Sequence, residues 1–274
     1  MDKIKNKFFY VYIAAGVLFL EAALNVKPAY AFTVNPGRVE LVMPAGESYI
    51  GSYIVGNPGD KPVKVVISAE DWSSDQDGRD VEKGDIASLD WLVFMPQEVD
   101  LAPNESRTVQ YKINIPKEAQ GEYTAMIYFG EAPDTSQGGV TVRSRVGNAL
   151  YVIIAGTEMV SGRIADINFS KRTPPKINVR IENTGNVHVR PKGNIKIKKS
   201  GLSANDKNGD GMDIPFNEAG FPVLPQQTYL FEVPVKEELA AGRYKLDFAM
   251  EFGKATFNNS LEFTVGEDGC IKIN

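Results

Sequence analysis

Apolar and polar residues alternate along most of the chain after about residue 32, in short runs that turn residues interrupt. In one such run Val39, Leu41 and Met43 alternate with Arg38 and Glu40. A period of two predicts half-buried β-strands, and no long stretch has helical periodicity. In the first half of the chain the predicted strands are 38–43, 49–55, 63–69, 91–95, 99–101, 108–115, 121–129 and 140–154. This number of short strands, with turns at this spacing, predicts a β-sandwich.

The second half of the chain, from about residue 161, repeats the order of the first. In each half a proline turn precedes an alternating strand, a second proline ends that strand, and a Gly-x-Tyr segment begins the next. The matching segments are Leu101-Ala-Pro103 and Val223-Leu-Pro225, Pro116 and Pro234, Gly121-Glu-Tyr123 and Gly242-Arg-Tyr244, and the upstream turns at Asn57 and Asn183. The repeat predicts an all-β chain of two tandem immunoglobulin-like sandwiches, residues 32–158 and 159–274.

The two tyrosines of the repeat have a structural interpretation. In immunoglobulin-like sandwiches a Tyr at the start of the sixth strand folds its hydroxyl back onto upstream backbone, two residues before a disulfide cysteine. Ala125 and Leu246 stand at those cysteine positions, and the chain has one Cys, Cys270. We therefore expect Tyr123 and Tyr244 to close such corners in domains held by packing alone.

The first 31 residues have the features of an export signal. Three lysines precede an uncharged run from Phe8 to Leu20, and Ala29-Tyr30-Ala31 offers small residues to a signal peptidase. The 13-residue run is shorter than the roughly 20 residues of a membrane-spanning helix. We expect cleavage after Ala31 and a periplasmic or otherwise extracytoplasmic protein without a transmembrane anchor. The alternative is an uncleaved anchor, because the segment after the apolar run, with Glu21 and Lys27, is unusually long for a signal peptide.

Composition narrows the classes of function. The 274 residues are 43% apolar and 24% charged, and the net charge of −5 becomes −7 when residues 1–31 are removed. This acidic balance argues against a broad nucleic-acid-binding surface. The single His188 excludes clustered-histidine metal sites, and its place between Val187 and Val189 predicts a solvent-facing strand residue. Neither a phosphate loop nor a nucleophile elbow is present, so we expect a protein that is not an enzyme, without catalytic residues or an obligatory cofactor.

One loop matches the first half of a calcium-binding loop. Asp206-Lys-Asn208-Gly-Asp210-Gly211 follows the pattern D-x-N-x-D-G, with Asp213 beyond it. The twelfth position, where the pattern needs a bidentate Glu, is Asn217. The sequence leaves two alternatives open, a calcium site at Asp206, Asn208, Asp210 and Asp213 or a solvated turn.

Segments of the first half resemble the PapD-like periplasmic pilus chaperones. The segments are Gly37-Arg-Val-Glu-Leu41 with Pro44-Ala-Gly-Glu47, Asn57-Pro-Gly-Asp-Lys-Pro62, and Phe94-Met-Pro96 through Leu101-Ala-Pro103. The long strand 140–154 stands where that family has its seventh strand. The segment 116–123 departs from the family and is more similar to immunoglobulin-type domains of bacterial surface proteins.

The resemblance implies a way of binding exported protein subunits. Chaperones of this family lend the seventh strand to an incomplete pilus subunit by β-strand addition, and two cationic residues in the cleft between domains hold the terminal carboxylate of the subunit. By position, Arg38 matches the first cation, and Arg145, with Arg143 as an alternative, is the nearest to the second. Leu150, Val152 and Ile154 would belong to the donated edge.

Two functions therefore compete. The first is a chaperone-like assembly factor for pilus or surface-protein subunits, which expects Arg38 and Arg145 in one cleft between the domains. The second is a structural or adhesive surface module that binds cell-wall components or a protein partner, without cleft chemistry.

Overall fold

The computed structural model describes residues 32–72, 89–132, 145–170, 174–201 and 211–274, and the predicted signal segment 1–31 lies outside them. Every regular element in these residues is a β-strand, as the sequence predicts. None of the described segments forms a helix with the length and apolar character to cross a membrane. The strands are β1 (Thr33–Asn35), β2 (Arg38–Met43), β3 (Ser48–Gly56), β4 (Val63–Asp71), β5 (Leu92–Met95), β6 (Glu98–Leu101), β7 (Ser106–Asn114), β8 (Glu122–Glu131), β9 (Arg145–Ile154), β10 (Gly162–Phe169), β11 (Lys176–Asn183), β12 (Lys192–Lys199), β13 (Met212–Phe216), β14 (Thr228–Pro234), β15 (Gly242–Phe252), β16 (Ala255–Val265) and β17 (Ile271–Ile273).

The first nine strands form two sheets that enclose one core. One sheet has the order β1-β3-β7-β5 and the other the order β2-β9-β8-β4-β6. The inward residues of the alternating strands, such as Tyr53, Val109, Ile127 and Leu150, are buried together. Period-two strands with one apolar face thus produce the predicted sandwich.

The chain changes sheets between β1 and β2. β1 pairs antiparallel with the end of β3, from Thr33 opposite Gly56 to Asn35 opposite Ile54. After Pro36 and Gly37 the chain continues as β2, which pairs in parallel with the second half of β9. Consequently β1 covers only part of β3, and β2 covers only part of β9.

The remaining strands enclose a second core. A three-stranded sheet of order β10-β11-β14 faces a five-stranded sheet of order β13-β12-β15-β16-β17. Their buried residues, among them Ile181, Phe216 and Phe248, form a separate hydrophobic cluster. Between the end of β9 and the start of β10 lies the short connection 155–161, which contains the predicted boundary at 158/159.

Equivalent residues of the internal sequence repeat make equivalent hydrogen bonds in the two domains. Asn57 donates from Nδ2 to the carbonyl of Leu101 at 3.2 Å, and Asn183 donates from Nδ2 to that of Val223 at 2.9 Å. Leu101 and Val223 occupy the same place in the two copies of the sequence repeat. In both turns the Oδ1 atom accepts a bond from the backbone two residues further on. Each asparagine therefore ties its turn to a segment of its own sandwich that is distant in the sequence.

The predicted tyrosine corner is present in the second copy. The hydroxyl of Tyr244 donates to the carbonyl of Ala240, four residues upstream, at 2.8 Å. In the first copy Tyr123 packs edge-to-face against Trp91 with ring centroids 5.5 Å apart. The corner predicted at Tyr123 remains a prediction.

We expect Asn183→Ala to lower the free energy of unfolding by about 1 to 3 kcal/mol, because the carbonyls of Val187 and Val223 would lose a buried donor. Urea unfolding of the purified protein measures the change. The neighbouring exposed Thr184→Ala is the control, with a change below about 0.5 kcal/mol. Equal effects of the two substitutions would contradict a specific role for the buried amide.

Candidate functional site at the junction of the two domains

Both sandwiches contribute side chains to a cluster of charged and aromatic groups at their junction. From the first come Arg38 and Glu40 on β2, Glu122 at the start of β8 and Tyr151 on β9. The second contributes His188 and Arg190, which follow β11. We call these six residues the junction cluster.

The connection between the domains is fixed by its own hydrogen bonds. Asn186 donates from Nδ2 to the carbonyl of Thr157 at 2.9 Å and accepts from the backbone of Met159 at 2.6 Å. Gly121 has a φ of +70°, and a Cβ there would lie 2.8 Å from the carbonyl oxygen of Asn186. Glycine at this position therefore allows the start of β8 to approach the second domain closely.

Glu122 and His188 form the buried part of the cluster. The Glu122 side chain is fully buried and that of His188 is 8% exposed, with Oε1 of Glu122 2.6 Å from Nδ1 of His188. The second oxygen of Glu122 accepts a bond from the His188 backbone. On its other side the imidazole packs against the ring of Tyr151, with centroids 4.2 Å apart. The prediction of a solvent-facing His188 is wrong because its partner lies on the other domain.

Glu40 joins two arginines that come from different domains. Its Oε1 atom is 2.5 Å from Nη2 of Arg190 and 3.1 Å from Nε of Arg38. Nε2 of His188 lies 3.9 Å from the same oxygen. Arg190 also donates to the carbonyl of Gly220 at 3.0 Å. One carboxylate oxygen thus has two guanidinium groups around it, each of them a strong carboxylate partner.

These contacts shift the ionisation of the cluster. Burial alone would raise the pKa of Glu40, but the hydrogen bond and charge of Arg190, followed by the charges of Arg38 and His188, lower that pKa below its ordinary value of 4.5. Burial raises the pKa of Tyr151 to about 12, against the opposing effect of Arg190. Glu40 is therefore held as a carboxylate, and Tyr151 as a neutral phenol.

A groove opens beside Arg38. It has a volume of about 520 Å³ and lies between β2, which contributes Arg38 and Glu40, and β3, which contributes Tyr49 and Gly51. Tyr111 of β7 forms its floor, since a Cβ on Gly51 would lie 2.3 Å from the Tyr111 hydroxyl. The groove lies beside the part of β3 that β1 does not cover, because the chain there has already joined the other sheet as β2. Its volume is within the range of ligand-binding sites.

The structure does not bring Arg145 to this place. Arg38 lies opposite Ala149 in the parallel pairing of β2 with β9, four residues from Arg145, or about 13 Å along the strand. Nη2 of Arg145 instead lies 2.6 Å from Oε1 of Glu70, and the guanidinium carbon of Arg145 lies 3.3 Å from the ring centre of Tyr128. Within the described residues the second cation near Arg38 is Arg190. The alternative Arg143 lies outside them.

The predicted donor edge needs a correction. Leu150, Val152 and Ile154 are fully buried, and their segment of β9 has β2 on one side and β8 on the other. A strand with two neighbours has no free backbone to offer. The part of β9 that has only β8 as a described partner is Val146–Asn148. An apolar run does not distinguish an edge from an interior strand, which is why the sequence misplaced the edge.

Most of the predicted calcium loop, with Asp206, Asn208 and Asp210, lies outside the described residues. Asp213 belongs to β13, where Oδ1 accepts from Asn194 at 3.0 Å and Oδ2 lies 3.6 Å from Nζ of Lys196. No group of three potential metal ligands occurs among the described residues. The calcium site remains a prediction.

Sequence reasoning missed Glu122, Arg190 and the true position of His188. Glu122 stands inside the Gly-x-Tyr segment of the repeat, where the second copy has Arg243. This difference between the copies is a signal that the sequence offered, because a residue that serves the junction has no equivalent task in the second sandwich.

Comparisons with known proteins give structural likenesses only. No family model and no curated protein matches the chain. Among solved structures, a chaperone–tip adhesin complex of CFA/I fimbriae biogenesis is similar at 15% identity over 84% of this chain and 98% of that one, with a TM-score of 0.47. The YadV chaperone is 12% identical over 85% and 100%, with a TM-score of 0.46. The Acinetobacter baumannii CsuC–CsuE complex from archaic chaperone-usher Csu pili is 13% identical over 84% and 98%, with a TM-score of 0.42.

The predicted resemblance to pilus chaperones therefore recurs among solved structures. Since each of these TM-scores is below 0.5, the function proposed below rests on the side chains and strand edges of this chain.

Removal of the imidazole is expected to destabilise the junction. We expect His188→Ala to lower the free energy of unfolding by about 2 to 3 kcal/mol, because the buried Glu122 carboxylate loses one of its two donors. Urea denaturation measures the loss. Arg163→Ala, which breaks the exposed pair with Glu182, is the control and is expected to cost less than about 1 kcal/mol. A similar small loss in both variants would contradict a structural role for the buried pair.

The lowered pKa of Glu40 predicts a dependence of stability on pH. The contribution of a carboxylate whose pKa is lowered on folding is present above its unfolded pKa and is lost as the pH falls through its folded pKa. We therefore expect the urea midpoint of Glu40→Gln to fall less steeply than that of the wild type below about pH 4.5. Glu118→Gln, which removes an exposed carboxylate, is the control. Parallel profiles for wild type and Glu40→Gln would refute the assignment.

Proposed function

We propose that this protein is a chaperone-like assembly factor for exported protein subunits and not an enzyme. It acts in the periplasm or another extracytoplasmic space after export by residues 1–31. A subunit binds through its terminal carboxylate at Arg38 and Arg190 and through backbone pairing with the free edge of β9.

The observation that carries the proposal is the convergence of two guanidinium groups on one carboxylate oxygen. Arg38 and Arg190 belong to different domains, yet both lie within 3.1 Å of Oε1 of Glu40. Such a pair supplies charge-assisted hydrogen bonds, which are about twice as strong as neutral ones. A site of this composition favours a carboxylate over an amide or a hydroxyl.

Of the two arginines, Arg38 is the one that an incoming carboxylate reaches first. Its side chain is 55% exposed, against 19% for Arg190, and it lines the groove between β2 and β3. Its distance of 3.1 Å from Glu40 is also the longer of the two arginine contacts. An incoming carboxylate would therefore replace Glu40 as the ion-pair partner of Arg38 first. Arg190 would stay bound to Glu40 and keep the two domains in contact.

Strand addition would use the start of β9. Residues Val146–Asn148 pair with β8 and have no other partner among the described strands. A subunit strand could there form a ladder of main-chain hydrogen bonds, as in other cases of β-augmentation. Asn148 marks the end of this edge, since its side chain donates to the carbonyl of Pro36 where β2 joins the sheet.

The proposal is tested by isolating the tagged protein from its native host's envelope and identifying what copurifies. We expect a stoichiometric exported partner with the wild type and with Arg163→Ala, a control for loss of an exposed arginine on a strand. Arg38→Ala and Arg190→Ala should each reduce the recovered partner about tenfold, because each removes a charged hydrogen-bond donor. Urea unfolding of each variant separates loss of binding from loss of fold.

A synthetic peptide with the C-terminal sequence of that partner then tests the carboxylate directly. The free acid should bind about tenfold more tightly than the C-terminal amide, and this difference should vanish in Arg38→Ala. Recovery of the wild type alone, or with cell-wall material regardless of Arg38, would contradict the proposal and favour a surface module.

A further inference from the structure

The floor of the groove beside Arg38 carries a hydroxyl group whose hydrogen-bonding capacity is unused. Tyr111 is only 2% exposed, although its side chain lines the groove. No residue that the structure describes gives the Tyr111 hydroxyl a hydrogen bond. A hydroxyl that is shielded from water and unpaired costs free energy, and a ligand with a polar group at this place would remove that cost.

The strand opposite Tyr111 leaves this hydroxyl accessible from the groove. Gly51 stands directly opposite Tyr111 in the pairing of β3 with β7. A Cβ at position 51 would lie 2.3 Å from the hydroxyl oxygen, so a side chain there would displace the ring. Beyond the pair of Asn35 with Ile54 the first strand no longer covers β3. The hydroxyl therefore stands at an opening between the two sheets.

The walls of the groove combine aromatic and polar groups. The ring of Tyr49 lies 6.3 Å from that of Tyr111 at an interplanar angle of 47°, and Tyr49 is 38% exposed. Ile50 is also exposed, and Ser52 and Gln110 add polar side chains to the lining. Tilted aromatic pairs with centroids about 4.5 to 7 Å apart are favourable, so a further ring can pack beside the two tyrosines. An aromatic ring that ends in a hydrogen-bonding group matches both the walls and the floor.

Arg38 lines the same groove, and this determines which part of a partner enters it. Under the proposed function, on which this inference rests, the terminal carboxylate of the subunit binds at Arg38. The side chain of the last residue branches from the carbon that carries this carboxylate, so it is the group of the subunit nearest to the groove. We propose that the groove binds the side chain of the last residue of the subunit and selects tyrosine there.

The selection depends on a hydrogen bond between two hydroxyl groups. Burial, and to a smaller extent the neighbouring Tyr49, raises the pKa of Tyr111 to about 12. The Tyr111 hydroxyl is therefore neutral at physiological pH, where it can both donate and accept. A terminal phenylalanine would place its ring in the groove but leave this hydroxyl unpaired. A site that pairs with a hydroxyl of its ligand discriminates against the analogue that lacks it.

Fluorescence anisotropy with synthetic peptides tests the assignment on the whole protein. Peptides of about ten residues, a length sufficient for strand pairing, share one Ser/Thr-rich body with an N-terminal fluorescein. Three end in Tyr, Phe or Gly as free acids, and the fourth ends in Tyr as the C-terminal amide. We expect the wild type to bind the Tyr acid about fivefold more tightly than the Phe acid, the effect of one hydrogen bond, and the Gly acid least tightly. The Tyr acid should also bind about tenfold more tightly than its amide.

Tyr111→Phe should abolish the preference for the Tyr acid over the Phe acid, because only the hydroxyl of the floor is removed. Tyr53→Phe is the matched control and should keep every preference of the wild type. The Tyr53 hydroxyl is likewise buried without a partner among the described residues, but Tyr53 does not line the groove. Neither substitution removes a hydrogen bond from the described part of the chain, so both variants should retain at least the urea midpoint of the wild type.

The peptides separate failure of this inference from failure of the proposed function. Equal binding of the Tyr and Phe acids by the wild type, or a preference for Tyr that persists in Tyr111→Phe, would overturn the assignment of the groove. The carboxylate site would then still stand if the Tyr acid binds more tightly than its amide. Equal binding of the acid and the amide would refute the carboxylate site and, with it, this inference.

Discussion

The junction depends on one buried carboxylate. Glu122 is fully enclosed, and a buried charge is tolerated only when its hydrogen bonds are satisfied. Both of its oxygens contact His188 of the other sandwich, through the ring and through the backbone. The Glu122 carboxylate at the start of β8 therefore has these hydrogen bonds only when the second domain is in place. This requirement, together with the burial of Val187 and Val189, holds the loop after β11 in place.

The position of His188 fixes Arg190, two residues further along the same loop. Arg190 reaches Oε1 of Glu40 at 2.5 Å and passes over the Tyr151 ring, with 5.1 Å between its guanidinium carbon and the ring centre. In this way a contact made inside the junction places a cation from the second domain next to Arg38 of the first. The buried contacts of His188 thus determine the position of Arg190 in the exposed part of the cluster. A carboxylate ligand would therefore meet Arg38 and Arg190 already in position.

The sequence predicted the architecture well and the site only in part. Strand β2 was predicted with its observed bounds, and the repeat led to the matched turns at Asn57 and Asn183, because alternation and turn residues are local signals. Arg38 was proposed as a site residue by resemblance, and that role stays a prediction. Glu122 and His188 are 66 residues apart, and their pairing depends on how two domains meet, which no local pattern encodes. The same limit applies to Leu150, whose apolar neighbours could not reveal that β2 would cover it.

The two partly uncovered strands, β9 and β16, arise in different ways. β9 is left partly uncovered because the chain passes from β1 to β2 only at Pro36, so the segment Val146–Asn148 has β8 alone as a strand partner and ends beside Arg38. The free segment of β16 arises differently, because β17 is only three residues long. An edge beside Arg38 and Arg190 would suit a partner with a free C-terminus. Backbone pairing supplies the same hydrogen bonds in both cases, so the side chains at the ends of each edge determine which partner it takes.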